Sequence, residues 1–158
     1  MLKPEAVIDS FTIASGFAFL SPWHPSSITI DGVSYPTVEH AMQAHKTLDA
    51  ETRELVRRAK SPKDAKKLGH SVQVREDWPR VKLSLMREFN EKKFESPFLR
   101  DALLKTGDAE LVFKNTWNDT YFGVCKGVGE NWLGKILMEI REDIRRKDSV
   151  VYEPFKEM

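Results

Sequence analysis

The sequence predicts a mainly α-helical fold with a small β element, and three observations carry that expectation. Leu133, Ile136, Leu137, Ile140 and Ile144 recur at helical spacing and form the cleanest apolar stripe of the chain. Helix-start chemistry repeats along the sequence, with Thr37 before an alternating run and Ser-Pro pairs at 61–62 and 96–97. Against these, only one segment carries a strong strand signal, "SITIDGVSY", in which apolar and polar residues alternate around Asp31-Gly32.

Taken in order, the first third is irregular apart from that hairpin. Thr37 then caps a helix that runs to about Thr47. Ser61, Pro62 and Asp64 supply a cap, a first-turn proline and an early acid for a second helix, with Gly69 as its stop. From Pro79 to Lys93, Val81, Leu85 and Phe89 recur every four residues, and Ser96-Pro97 opens a further helix that ends at Gly107. The stretch "ELVFKNTWNDTYFGVCKGVGEN" reads as one short strand and a long loop before the final helix. No repeat, low-complexity tract or Gly/Ser linker divides the chain. One domain spanning 1–158, with its core at about 17–146, is expected.

Bulk properties remove several functions. A net charge of +1 supplies no field to recruit nucleic acid or an anionic membrane, although a locally basic groove is compatible with it. The single cysteine, Cys125, excludes an internal disulfide framework, and no Cys/His spacing resembles a zinc site. The apolar run at Phe17–Leu20 is too short for a signal segment or a membrane span, so a cytoplasmic protein is expected. His40 and His45 stand five apart, not the four a helical metal pair needs. Structural roles are expected for both, and neither a metal nor a cofactor.

The candidate chemistry lies in four segments. Glu39, Gln43 and Lys46 fall on one face of the helix after Thr37 and interrupt it with polar groups. An acid in a first helical turn is already favoured by the helix dipole, so Glu39 has a structural reason as well as a catalytic one. In "KNTWNDTYFG", Trp117, Tyr121 and Phe122 interleave with Asn118 and Asp119: aromatic faces stack on bases or sugars, and a loop carboxylate among them can meet a reacting centre. The plainer alternative is an Asx-turn made by Asp119. In "KGVGENWLGK", Gly127 and Gly129 precede Asn131, read as the cap of the last helix, and Lys126 and Lys135 add positive charge, a composition suited to an anion. The spacing matches neither a Walker loop nor a dinucleotide fingerprint. In "REDWPRVK", Trp78 reads either as a core anchor or as a stacking platform, with Arg75 and Lys82 as phosphate contacts.

The ordered segments "FLSPW", "YPTVEHAMQAHK", "AKSPKDAKKLG", "REDWPRVKLSLM", "KF", "LLKTGDAELV", "WNDTYFGV" and "GENWLGKILMEIR" together resemble the NADAR superfamily, also called the YbiA-like family. The likeness runs from about Phe19 to Arg141. It implies a single multihelical YbiA-like domain with an N-terminal β-hairpin. It also implies an N-glycosidase, acting either on phosphoribosylaminopyrimidine intermediates of riboflavin biosynthesis or on ADP-ribosylated guanine, with ADP-ribosylated DNA among the implied substrates. Carried over position by position, the resemblance points to Glu39, Gln43, Lys46, Trp78, Asp119 and the Gly127–Lys135 segment. Phe122 stands where the family usually has Trp, which keeps a stacking face and removes an indole donor.

The implied mechanism passes through an oxocarbenium-like state on the ribose. Glu39 is expected to stabilise that charge and activate water, and Asp119 to orient ribose hydroxyls or assist the leaving base. Trp78, Tyr121 and Phe122 would stack on the base. Lys46, Lys135, Gly127 and Gly129 would hold phosphate, with Gln43 and Asn131 completing the substrate-binding set. The two acids are expected to converge on one cleft. A non-catalytic ADP-ribose or NAD-binding module is the alternative, and a nucleic-acid interaction domain ranks behind both.

Overall fold

The computed structural model describes residues 6–156, so the outermost ends of the expected 1–158 domain lie outside the described residues. Helix dominates, as expected, and backbone contacts resolve the chain into two compact units.

The unit at 12–96 begins with a 3-10 turn, Ala18–Leu20, that buries Leu20. The hairpin follows: β2 (Ile28–Ile30) pairs antiparallel with β3 (Val33–Tyr35), with Ile30 opposite Val33. Asp31 and Gly32 both adopt positive φ, 50° and 80°, the conformation a two-residue hairpin turn requires. Alternation then buries Ile28, Ile30 and Tyr35.

Helix α1 (Val38–Ala44) starts where Thr37 predicts, and the Thr37 hydroxyl accepts from the His40 N–H at 3.1 Å. It is the centre of this unit: Val38, Ala41 and Ala44 are fully buried, and it packs against α2 (Ala50–Arg57), α3 (Pro62–Gly69) and α4 (Trp78–Lys93). Helix α2 is not expected from the sequence. Its only buried residue is Val56, so it carries too little apolar stripe to be heard, although Asp49 caps it by accepting from the Thr52 N–H at 3.0 Å.

The other unit joins the N-terminal segment to residues from 97 onward. Here β1 (Val7–Ile8) and β4 (Glu110–Leu111) form a parallel pair, Val7 opposite Glu110. Two residues are too short for β1 to show as a pattern. Helix α5 (Pro97–Lys105) buries Leu99 and Leu103 and contacts α6 (Trp132–Lys156). Of the expected stripe, Leu133, Ile136, Leu137 and Ile140 are buried and Ile144 is half-buried. Gly134 lets α6 lie against β4, because a Cβ there would stand 2.0 Å from the Leu111 carbonyl oxygen.

Candidate functional site

In the 12–96 unit the Glu39–Gln43–Lys46 stripe is a set of contacts, not a wall open to solvent. Glu39 is half-buried, and its backbone N–H donates to the Pro22 carbonyl at 3.0 Å, which ties the "SPW" segment to the start of α1. The Gln43 side chain is buried, and its Nε2 donates to Glu39 Oε1 at 2.8 Å. Gln43 Oε1 is buried with no hydrogen-bond partner. Gly69, expected as a helix stop, does not sit in the left-handed region. What its missing side chain supplies is space: a Cβ there would fall 1.9 Å from Gln43 Oε1.

Lys46 is half-buried just beyond the end of α1. Burial lowers its pKa from the ordinary value, Glu39 opposes that shift, and Lys66 and Lys82 add to it. Lysines on α3 and α4 thus act on Lys46 alongside Glu39, and a cluster of positive charge favours an incoming anion. In the sequence Lys66 is indistinguishable from any lysine on an amphipathic helix. Trp78 opens α4 half-buried, with its backbone N–H donating to the Arg75 carbonyl at 3.2 Å. Arg75 forks onto Asp77 through Nε at 2.5 Å and a terminal nitrogen at 2.8 Å. Two of its three guanidinium nitrogens are therefore engaged by a neighbour.

Lys93, the last residue of α4, is 2% exposed. Its ammonium donates to the Ser21 carbonyl at 2.9 Å, and burial pulls its pKa from 10.5 to about 7. The same "SPW" segment is therefore held from two sides, by Lys93 and by the Glu39 N–H. The sequence shows Lys93 only as half of "KF"; a lysine inside an apolar-periodic helix is the one signal available. His40 bridges Thr37 and the Ala59 carbonyl, and His45 Nδ1 donates to the Ala41 carbonyl at 2.7 Å, so both histidines are structural.

In the second unit the loop 113–131 is organised by backbone hydrogen bonds. Asn115 Oδ1 accepts from the N–H groups of Trp117 and Asp119, at 3.2 and 3.0 Å. Asp119 Oδ1 accepts from the N–H groups of Tyr121 and Phe122, at 3.1 and 2.9 Å. The Asx-turn reading of Asp119 is therefore realised, and it leaves Oδ2 outside the turn. Tyr121 and Phe122 meet edge to face at 4.8 Å and are both half-buried.

Gly127 adopts φ +78° with open space around it, and Gly129 adopts φ +153° with a Cβ position 2.1 Å from the Gly123 carbonyl oxygen. Lys135 lies over the Trp132 ring at 4.4 Å and is exposed. Asn131 is not a side-chain cap of α6. Its φ is +57°, and its amide is turned to β4, accepting from the Phe113 N–H at 2.9 Å and donating to the Leu111 carbonyl at 2.9 Å. The left-handed backbone aims the side chain at the strand, which the sequence cannot show.

Among the described residues no group of three or more His, Cys, Asp or Glu side chains is placed to hold a metal ion. A cleft of about 610 Å³ beside α2, α3 and the 71–76 segment mixes aliphatic walls, Leu55, Leu68 and Val74 among them, with polar ones, and of the expected substrate contacts it contains Arg75 alone.

The first unit thus offers a half-buried carboxylate gripped by an amide in a lysine-rich field, and the second an aromatic loop carrying a carboxylate. Each is suited to a negatively charged glycosyl compound. The chain belongs to the NADAR family, whose model, described as NADAR domain, matches residues 10–145. It is 38% identical over 144 residues to the N-glycosidase YbiA of Escherichia coli, covering 89% of each protein. The NMR structure of E. coli YbiA superposes with a TM-score of 0.83 at 36% identity, over 93% of this chain and 89% of that one. A riboflavin biosynthesis protein of Vibrio vulnificus is 37% identical over 131 residues, which is 80% of this chain and 35% of that protein. No described helix is long and apolar enough to cross a membrane.

Proposed function

We propose that this protein hydrolyses the bond between ribose C1′ and the nitrogen of a phosphoribosylated aminopyrimidine. It is an N-glycosidase, and the observation that carries this is its near full-length similarity to an N-glycosidase of the same family. The aminopyrimidine is favoured over other ribosylated bases by the likeness to a riboflavin biosynthesis protein. A single cysteine fits a reducing compartment, and the cytoplasm is the proposed location.

In the proposed reaction the C1′–N bond lengthens and positive charge grows on the ribose ring. Glu39 stabilises that charge and takes a proton from the attacking water, whose oxygen forms the new bond to C1′. The nitrogen leaves with the bonding pair and gains a proton, so the products are the free amine and the ribose hemiacetal. Asp119 is the second carboxylate, orienting ribose hydroxyls or assisting departure through Oδ2. Trp78, Tyr121 and Phe122 stack on the base. Lys46 binds phosphate with support from Lys66 and Lys82, and Lys135, Gly127 and Gly129 offer a further anion contact. The role of Asn131 is to hold the loop against β4, not to touch substrate.

The test is direct. Purified protein is incubated with a phosphoribosylaminopyrimidine and, separately, with DNA carrying ADP-ribosylated guanine, and the released base is followed by chromatography. Release from the first substrate is expected, slowed by roughly 10²–10³ in rate or more in Glu39→Gln. Tight binding with no product in either arm returns the protein to the nucleotide-binding class. Product only from the DNA replaces the aminopyrimidine by guanine.

A further inference from the structure

Gln43 carries two features a surface glutamine lacks. It is 8% exposed, and of its two amide atoms one donates to Glu39 Oε1 at 2.8 Å while the other, Oε1, is buried without a partner. The amide cannot be turned over to relieve this, because that would set its oxygen against the Glu39 carboxylate, acceptor to acceptor. Facing it across the α1–α3 contact is Gly69, where a Cβ would meet Gln43 Oε1 at 1.9 Å and Gln43 Cδ at 2.7 Å. Nothing in the backbone of Gly69 demands glycine. A buried polar atom left unsatisfied is uncommon enough to need a reason. Here the reason is that the oxygen is surrendered so that the nitrogen can grip a carboxylate.

We infer that Gln43 is a positioning residue that fixes the Glu39 carboxylate for the chemical step, and that the missing side chain at Gly69 is what permits it. This differs from the expectation that Gln43 binds substrate, and it rests on the N-glycosidase reading with Glu39 in the central role. A carboxylate on a flexible two-carbon stem samples several rotamers. One donor supplied from the next turn of the same helix restricts it without neutralising its charge. Gly69, on a different helix, is then coupled to catalysis although its own atoms touch no substrate.

The experiment is a kinetic cycle on the aminopyrimidine substrate with wild type, Glu39→Gln, Gln43→Ala, Gly69→Ala and the Gln43→Ala/Gly69→Ala double variant. Thermal melts accompany each chain. Gln43→Ala is expected to lower kcat about 10- to 100-fold while KM stays within about twofold, since a misplaced catalytic group slows chemistry without weakening binding. Gly69→Ala is expected to lower kcat to a similar degree by pushing the amide off Glu39. The double variant should be no slower than Gln43→Ala alone. The amide that the added methyl group would displace is then gone, and a residual Cβ–Cβ approach of 3.1 Å needs only a small shift.

If Gly69→Ala fails to fold and Gln43→Ala rescues it, the steric half of the inference stands, and the KM-against-kcat split of Gln43→Ala decides the other half. A raised KM at unchanged kcat in Gln43→Ala, or losses that multiply in the double variant, would overturn the inference while leaving the N-glycosidase reading intact. A wild type that releases no base, or an active Glu39→Gln, removes the reading itself and the inference with it.

Discussion

Glu39 and Asp119 are held by opposite means. Glu39 sits on a helix whose backbone is already satisfied, and its carboxylate is gripped by another side chain, Gln43. Asp119 sits on a loop with no regular ladder, and its carboxylate is consumed in part by the backbone N–H groups of Tyr121 and Phe122. The first arrangement keeps the fold independent of the acid. The second makes the acid part of the fold. Helix α1 should therefore tolerate changes that destroy chemistry, whereas the 113–131 loop should lose order when its side chains are truncated.

The largest expected effect sharpens the electrostatic side of that contrast. Lys93, at the end of α4, adds its charge to burial in lowering the pKa of the His24 ring, and has its own pKa lowered from 10.5 to about 7 by burial. Between those two values the unfolded chain holds a proton that the folded chain does not, so stability must rise with pH from about 7 toward 10. The slope is about 1.4 kcal/mol per pH unit at its steepest, levelling off below pH 7 where both states are protonated. Urea titrations of wild type and Lys93→Met from pH 6 to 10 measure it as a difference. Parallel profiles for the two proteins would show that Lys93 carries no such penalty.

Next comes the loop's steric frame. Gly129→Ala puts a Cβ 2.1 Å from the Gly123 carbonyl oxygen at a φ of +153°, so a loss of about 1–3 kcal/mol is expected in denaturant unfolding. Unchanged stability would mean that the loop relaxes freely and is not the rigid counterpart of α1. Smaller again is the Asp119 pair. Asp119→Ala removes the acceptor for two N–H groups and should cost about 1–2 kcal/mol, while Asp119→Asn keeps an oxygen at Oδ1 and should stay within about 0.5 kcal/mol of wild type. Equal stability of the two variants would break the comparison. The smallest expected change is Thr37→Ala, about 1 kcal/mol, because the α1 cap loses its bond to the His40 N–H. Thr37→Ser should restore it, and failure to do so would assign the loss to packing.

Much of this is legible in the sequence. Thr37 and Ser61 are caps whose side chains accept the expected N–H groups, Asp31-Gly32 makes the hairpin turn, and the apolar stripe of the last helix is buried. Each of these is a local decision, settled by the dihedral needs and hydrogen-bond inventory of a few consecutive residues. Helix α2 escapes because a single buried valine leaves no periodicity to detect, and β1 because two residues hold no alternation. At the site, the sequence singles out Glu39, Gln43 and Asp119, with Gln43 expected among the substrate contacts, and does not show its bond to Glu39.

By itself, then, the sequence determined where α1 and α3 start and where the hairpin turns, since those choices depend on neighbours along the chain. Only tertiary structure decided that Gly69 faces Gln43, that Asn131 turns back to β4 and that Lys93 lies buried against Ser21. These contacts join residues between 20 and 72 positions apart. Their energies come from excluded volume and desolvation, which no local pattern of residues encodes.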